Sequence, residues 1–303
     1  MFVLAAITAI GLLWSDSAQA DHETHVYGIA EYGESGQCRK VSAHSEHTDT
    51  AAEFLEIFEE LKDEGDWDST ITRNNDAARG SFWTDKSKES TCKCQSYQDD
   101  CWCTGHDTDS NFGADEADVV FIHTHGGSGY KTDGKKADYT KLYMGNIKND
   151  CEVSTKNNML WGGDSAGDLD IAVVKACQSA QYEVFVNGGF WSMIDSDSTF
   201  RMWNGFHGDS SCWWGTSGWI GDYAEDSVWE GVGENWVDEA YDDWGDDDCP
   251  VSIVFCNSES KCDTMYAHGG WLDRKDTGAK TLSKAYFIGG CNPDPGQTLP
   301  EEN

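Results

Sequence analysis

Leu169-Asp170-Ile171-Ala172-Val173-Val174-Lys175-Ala176-Cys177-Gln178-Ser179-Ala180 is the stretch from which the fold is read. It is an apolar run of strand length, rich in β-branched residues, with Gly167 and Asp168 before it and polar residues after it. Such a run reads as a buried parallel strand. Its carboxyl end delivers a cysteine. In open α/β sheets ligands bind in the crevice beyond the carboxyl ends of the strands, so a thiol there stands where chemistry is usually done. The plain alternative is a buried structural cysteine or half of a disulfide.

Asp118-Val119-Val120-Phe121-Ile122-His123-Thr124-His125-Gly126-Gly127 has the same design. Two apolar strands thus end in a histidine and a cysteine. A thiol is a useful nucleophile as the thiolate, and a neighbouring imidazole favours that form and carries the proton to the leaving group. Gly126 lacks a Cβ and lets the main chain approach a substrate carbonyl closely, which suits an oxyanion donor. His207, at the end of Arg201–Gly208, is a rival for the base by the same placement. His123 and His125 lie two apart, so in extended geometry both face one way and are candidate Zn²⁺ ligands for a metal-dependent hydrolase.

An apolar strand ending in His125-Gly126, followed about fifty residues later by one ending in Ala176-Cys177, resembles the caspase-like cysteine peptidases: caspases, legumains, clostripain, gingipains and separases. The resemblance covers residues 24 to 260 and rests on those two blocks and their order. It implies a three-layer α/β sandwich with a mainly parallel sheet, and a Cys177–His125 dyad acting without a cofactor. It also implies an oxyanion site made by the N–H groups of Gly126 and Cys177. Ser179 stands where caspases place a glycine. Asp164, Ser179, Phe206, His207 and Trp219 are the candidate lining of the substrate pocket.

Residues 2 to 13 are almost entirely apolar and lead to Ala18-Gln19-Ala20, a small-x-small pattern before Asp21. This reads as a secretory signal peptide over residues 1–20 and an exported mature protein without a membrane anchor. The roughly 280 residues that remain suffice for a full α/β core, read as one domain over 21–292 with a disordered tail over 293–303. Twelve cysteines in an exported chain imply disulfides. Cys92, Cys94, Cys101 and Cys103 mark a cysteine-rich insertion at 86–106, expected to hold two local disulfides. The formal net charge of −34 argues against a nucleic-acid partner; its plain reading is a surface kept hydrated in a salty or harsh medium, with attraction of a basic peptide or protein substrate as the alternative.

Elsewhere the elements follow a β-α-β order. His25–Ala30 reads as a first strand, and Thr50-Ala51-Ala52-Glu53 as a capping box before the helically spaced Phe54, Leu55, Phe58 and Leu61. Gly65 is the expected stop and Ser69–Thr72 the second strand. Residues 128 to 167 read as a polar connection, and Pro250–Cys256 as a further strand, with Cys249, Cys262 and Cys291 near it for bridges. Asp246, Asp247 and Asp248 form an acidic run that reads as a solvated loop, with structural calcium held by oxygen ligands as the alternative. A third reading of the whole chain is a non-catalytic secreted protein, binding carbohydrate or protein, with Trp213, Trp214, Trp219, Trp229, Trp236 and Trp244 as a stacking surface.

Overall fold

The computed structural model describes residues 22–32, 43–89, 105–129, 137–145, 151–162, 167–195, 198–210, 218–244, 248–273, 279–293 and 297–301. The segment expected as a signal peptide and the cysteines of the 92–103 cluster lie outside them, as do Asp164, Asp246, Asp247, Trp213 and Trp214.

Ten strands are described in chain order: β1 (Glu23–Gly28), β2 (Ser69–Asn74), β3 (Val119–His123), β4 (Gly126–Ser128), β5 (Thr140–Tyr143), β6 (Glu152–Ser154), β7 (Ile171–Lys175), β8 (Met202–Phe206), β9 (Pro250–Cys256) and β10 (Leu282–Phe287). Seven form one sheet in the order β10-β9-β8-β7-β3-β1-β2. β2, β1, β3, β7 and β8 pair in parallel, whereas β9 is antiparallel to both neighbours. β3 and β7 lie side by side at its centre with every residue buried, as continuous apolar runs in a doubly covered sheet require.

Alternation along the strands sorts the core into two halves. Val119, Phe121, Ile171, Val173 and Met202 face one way, Val120, Ile122, Ala172, Val174 and Trp203 the other. The first face is covered by α1 (Glu46–Glu64); after the short α2 (Tyr182–Val186) on the other face, it is completed by α3 (Gly218–Asp226), α4 (Val232–Trp244) and α5 (Glu259–His268). The second face is covered by α2 and by the small antiparallel sheet β4-β5-β6, through Leu142, Val153 and Val184.

The helical spacing of Phe54, Phe58 and Leu61 does mark the buried stripe of α1. Fully burying each phenylalanine contributes about 1.5–3 kcal/mol. The expected capping box is corrected: the helix begins at Glu46, one turn earlier, and Thr50 lies inside it, its hydroxyl donating to Glu46 O at 2.8 Å. Gly65 does end the helix, at φ 87°, where a side chain would be strained. Residues 128–167, expected as a featureless connection, contain β5 and β6. The expected disordered tail is corrected over residues 297–301: Leu299 is buried and exchanges main-chain hydrogen bonds with Gly290 and Cys291. Two disulfides, Cys249–Cys291 and Cys256–Cys262, tie β9 to this end of the chain and to α5.

Candidate active site

β3 and β7 are paired in register, from Val119 opposite Ile171 to His123 opposite Lys175. The pairing runs on past the strands, since Thr124 N–H donates to Lys175 O at 3.2 Å. His125 and Cys177 therefore leave the sheet side by side, at the carboxyl ends of its two central strands. Both are half-buried, unlike the fully covered strands beneath them. The two main chains then touch: a Cβ on Gly126 would stand 2.3 Å from Cys177 O and 2.9 Å from Ala176 Cβ. Only glycine fits there.

The edge of β4 shows which way the Gly126 amide points. Its partner on β5 is Leu142, and the bonds Tyr143 N–H to His125 O and Gly129 N–H to Tyr139 O fall on the residues in odd register. Gly126 and Ser128 are thus at non-hydrogen-bonded positions, their N–H groups turned away from β5. The Ser128 N–H reaches Gln178 Oε1 at 3.1 Å, beside Cys177. The Gly126 N–H lies on that same edge.

Cys177 is in no disulfide. Its sulfur meets both main-chain polar groups of one residue: Ser210 N–H donates to Sγ at 3.4 Å, and Sγ faces Ser210 O, an acceptor for the S–H, at 3.8 Å. The N–H favours negative charge on sulfur and the carbonyl favours the thiol, so both protonation states have a partner at Ser210. Ser210 follows β8 and was not legible as a site residue, because nothing in its local sequence distinguishes it.

His125 is wedged among three rings. Those of Tyr32, His44 and His47 have centroids 5.3, 5.2 and 5.3 Å from its own. The protons beneath it can be placed by elimination, since a carbonyl only accepts. Thr124 Oγ1 donates to Tyr143 O at 2.5 Å, so the Tyr32 hydroxyl must donate to Thr124 Oγ1, 3.0 Å away. The same hydroxyl accepts the His125 main-chain N–H at 2.9 Å. His47 Nδ1 carries a proton, given to Ile29 O at 2.6 Å. Burial lowers the His47 pKa to about 3, aided by the charges of His125, His44 and Lys175. His123 is fully buried against His47, centroids 4.1 Å apart, and is likewise held well below the usual imidazole range, first by burial. His125 thus sits on a floor of neutral imidazoles.

The other expected site residues are placed differently. Ser179 is buried, its hydroxyl donating to Val174 O at 2.9 Å and accepting the Phe206 N–H at 3.0 Å. Phe206 and Trp219 belong to the core, packed on Trp236 with centroids 5.1 and 5.4 Å away. Their expected place in the pocket wall is corrected on that ground. His207 is buried with both ring nitrogens committed: Nδ1 accepts the Tyr182 N–H at 3.0 Å and Nε2–H donates to Gln297 O at 2.6 Å. It is not set up to shuttle a proton. Burial lowers its pKa.

Among the described residues no three His, Cys, Asp or Glu side chains are arranged to hold a metal ion. Asp248, the described member of the acidic run, is buried. Of the tryptophans expected to form a stacking surface, Trp219 and Trp236 are buried and Trp229 is 72% exposed. No described helix is long and apolar enough to cross a membrane.

No family model and no curated protein matches the chain. Among solved structures, the crystal structure of protein GSU0716 from Geobacter sulfurreducens is similar at 8% sequence identity and a TM-score of 0.44, covering 86% of this chain and 99% of that one.

Proposed function

We propose that the chain is an exported cysteine endopeptidase of the caspase-like type, acting on peptides of net positive charge. One observation carries this reading: His125 and Cys177 end adjacent, in-register strands, with the Gly126 main chain against that of Cys177. The disulfides Cys249–Cys291 and Cys256–Cys262 among the described residues, with Cys177 outside any, are compatible with an oxidising compartment.

In this mechanism Cys177, as thiolate, attacks the peptide carbonyl and forms a carbon–sulfur bond. The oxygen gains the negative charge and is held by the N–H groups of Gly126 and Cys177, donors of a kind each worth about 10²–10³ in rate in a well-studied protease. His125 gives its proton to the departing amine as the carbon–nitrogen bond breaks, leaving a thioester. It then takes a proton from water, whose oxygen attacks the thioester carbonyl; the carbon–sulfur bond breaks, the acid leaves, and the thiolate and protonated imidazole are restored. His47 and His123, held neutral beneath the base, add no positive charge of their own to that of Lys175 to oppose its protonation.

Cleavage of a mixed peptide library by the exported chain, read by mass spectrometry, tests the proposal. Cys177→Ala and His125→Ala are expected to abolish cleavage and keep the fold. Undiminished cleavage by Cys177→Ala would overturn it.

A further inference from the structure

We propose that Gln178 is a positioning residue that locks the turn carrying Cys177 onto the segment carrying His125 and Gly126; this rests on the cysteine-nucleophile reading above. Gln178 has φ 55°, one of three non-glycine residues at positive φ among those described. A side chain in that region is strained, and glycine is the default there. Strain held beside a candidate nucleophile calls for a compensating contact.

Two contacts supply it. The Gln178 N–H donates to Gly208 O at 2.6 Å, which ties the turn to the segment after β8. Its side-chain Oε1 accepts two hydrogen bonds from one residue, Ser128 N–H at 3.1 Å and Ser128 Oγ at 2.8 Å. Ser128 lies on β4, three residues after His125. Both lone-pair directions of the amide oxygen are thereby used. The left-handed turn aims the side chain back across the gap between β7 and β4, and the sequence neighbour of the thiol becomes the point at which the ends of β4, β7 and β8 are joined. Glycine would relieve the backbone but drop the link to β4. The side chain, not the backbone, is what the site needs.

The test uses the full unreduced chain and the rate at which iodoacetamide labels Cys177, followed by mass spectrometry as a function of pH. Gln178→Gly keeps the turn and loses the link; Gln178→Asn keeps a residue tolerant of positive φ and shortens the reach. In both, the labelling rate at neutral pH is expected to fall on the order of tenfold or more, as small misplacements of reacting groups do. The profile should also move toward that of an ordinary thiol, near about pH 8.5. Ser128→Ala removes one of the two donors and should give a smaller change in the same direction; it decides the matter if neither Gln178 variant folds. Folded variants with the wild-type profile would overturn the positioning role and leave the nucleophile reading standing. An ordinary thiol profile in the wild type would overturn both.

Discussion

The Tyr32 hydroxyl serves two strand-end groups with one oxygen, accepting from His125 N–H and donating to Thr124 Oγ1. Tyr32→Phe removes the hydroxyl acceptor of that part-buried amide. It should cost about 1–3 kcal/mol in urea denaturation and, on the proposed mechanism, lower peptide cleavage, because His125 loses its footing. Titration acts at the same scale. Burial first, and then the Arg73 charge acting against the hydrogen bond to Gly113, hold His25 neutral to about pH 4 from an ordinary 6.5; His47 stays neutral to about 3. The unfolded chain takes these protons first, so this stability is full above pH 6.5 and drains as pH falls toward 4 and below. Asp115 runs the other way. Burial, then Asp107, raise its carboxyl well above 3.8, although Gly162 N–H donates to it. The folded chain keeps that proton longer, and stability is lost as pH rises above 3.8. Thermal melts of Asp115→Asn should therefore show an advantage over wild type that grows from acid to neutral pH. His125 and Cys177 were legible because a reactive residue closing an apolar strand has a local signature. Tyr32, His47, Ser210 and Gln178 were not, because their contacts are made only when segments 18 to 93 residues apart meet.

At the scale of elements, the site depends on β3 and β7 staying in register and touching at Gly126. Gly126→Ala puts a methyl 2.3 Å from a main-chain oxygen, which must push the strand ends apart. Its stability cost should be about 1–3 kcal/mol, the range of an overpacked contact, while cleavage is lost. Phe54→Ala empties a core position under α1, packed on Phe121 at 4.4 Å, and should cost about 3–5 kcal/mol while Cys177 keeps its reactivity in the folded fraction. The contrast separates a site contact from a packing contact. The central strands and α1 were readable from their periods. β4, β5 and β6 were not, since strands of three or four residues are too short for alternation to show. The helical stripe of α3 and α4 was hidden among glycines and acids, and Trp219, named for the pocket wall, forms with Trp236 part of the layer under the sheet.

For the whole molecule, cysteine arithmetic makes a prediction that requires no substrate. The chain has twelve cysteines, and Cys177 is unbridged. An odd number remains, so at least one other lies outside any intrachain disulfide. Alkylation of the denatured, unreduced protein should add at least two labels per monomer, or a disulfide-linked dimer should appear on a non-reducing gel. A monomer with a single label would contradict the count. Composition carried this property and the acidity without reference to fold. The pocket's specificity was not readable, because the described residues named for it, Ser179, Phe206, His207 and Trp219, are buried.

The central claim, that Cys177 is an activated nucleophile beside His125, is tested most directly by labelling the native, unreduced protein with iodoacetamide and mapping the adduct. The account predicts rapid labelling of Cys177 at neutral pH, Cys249, Cys256, Cys262 and Cys291 untouched, slowed labelling in His125→Ala, and loss of cleavage in proportion to the label. Labelling of Cys177 no faster than a free thiol and indifferent to His125 would contradict it.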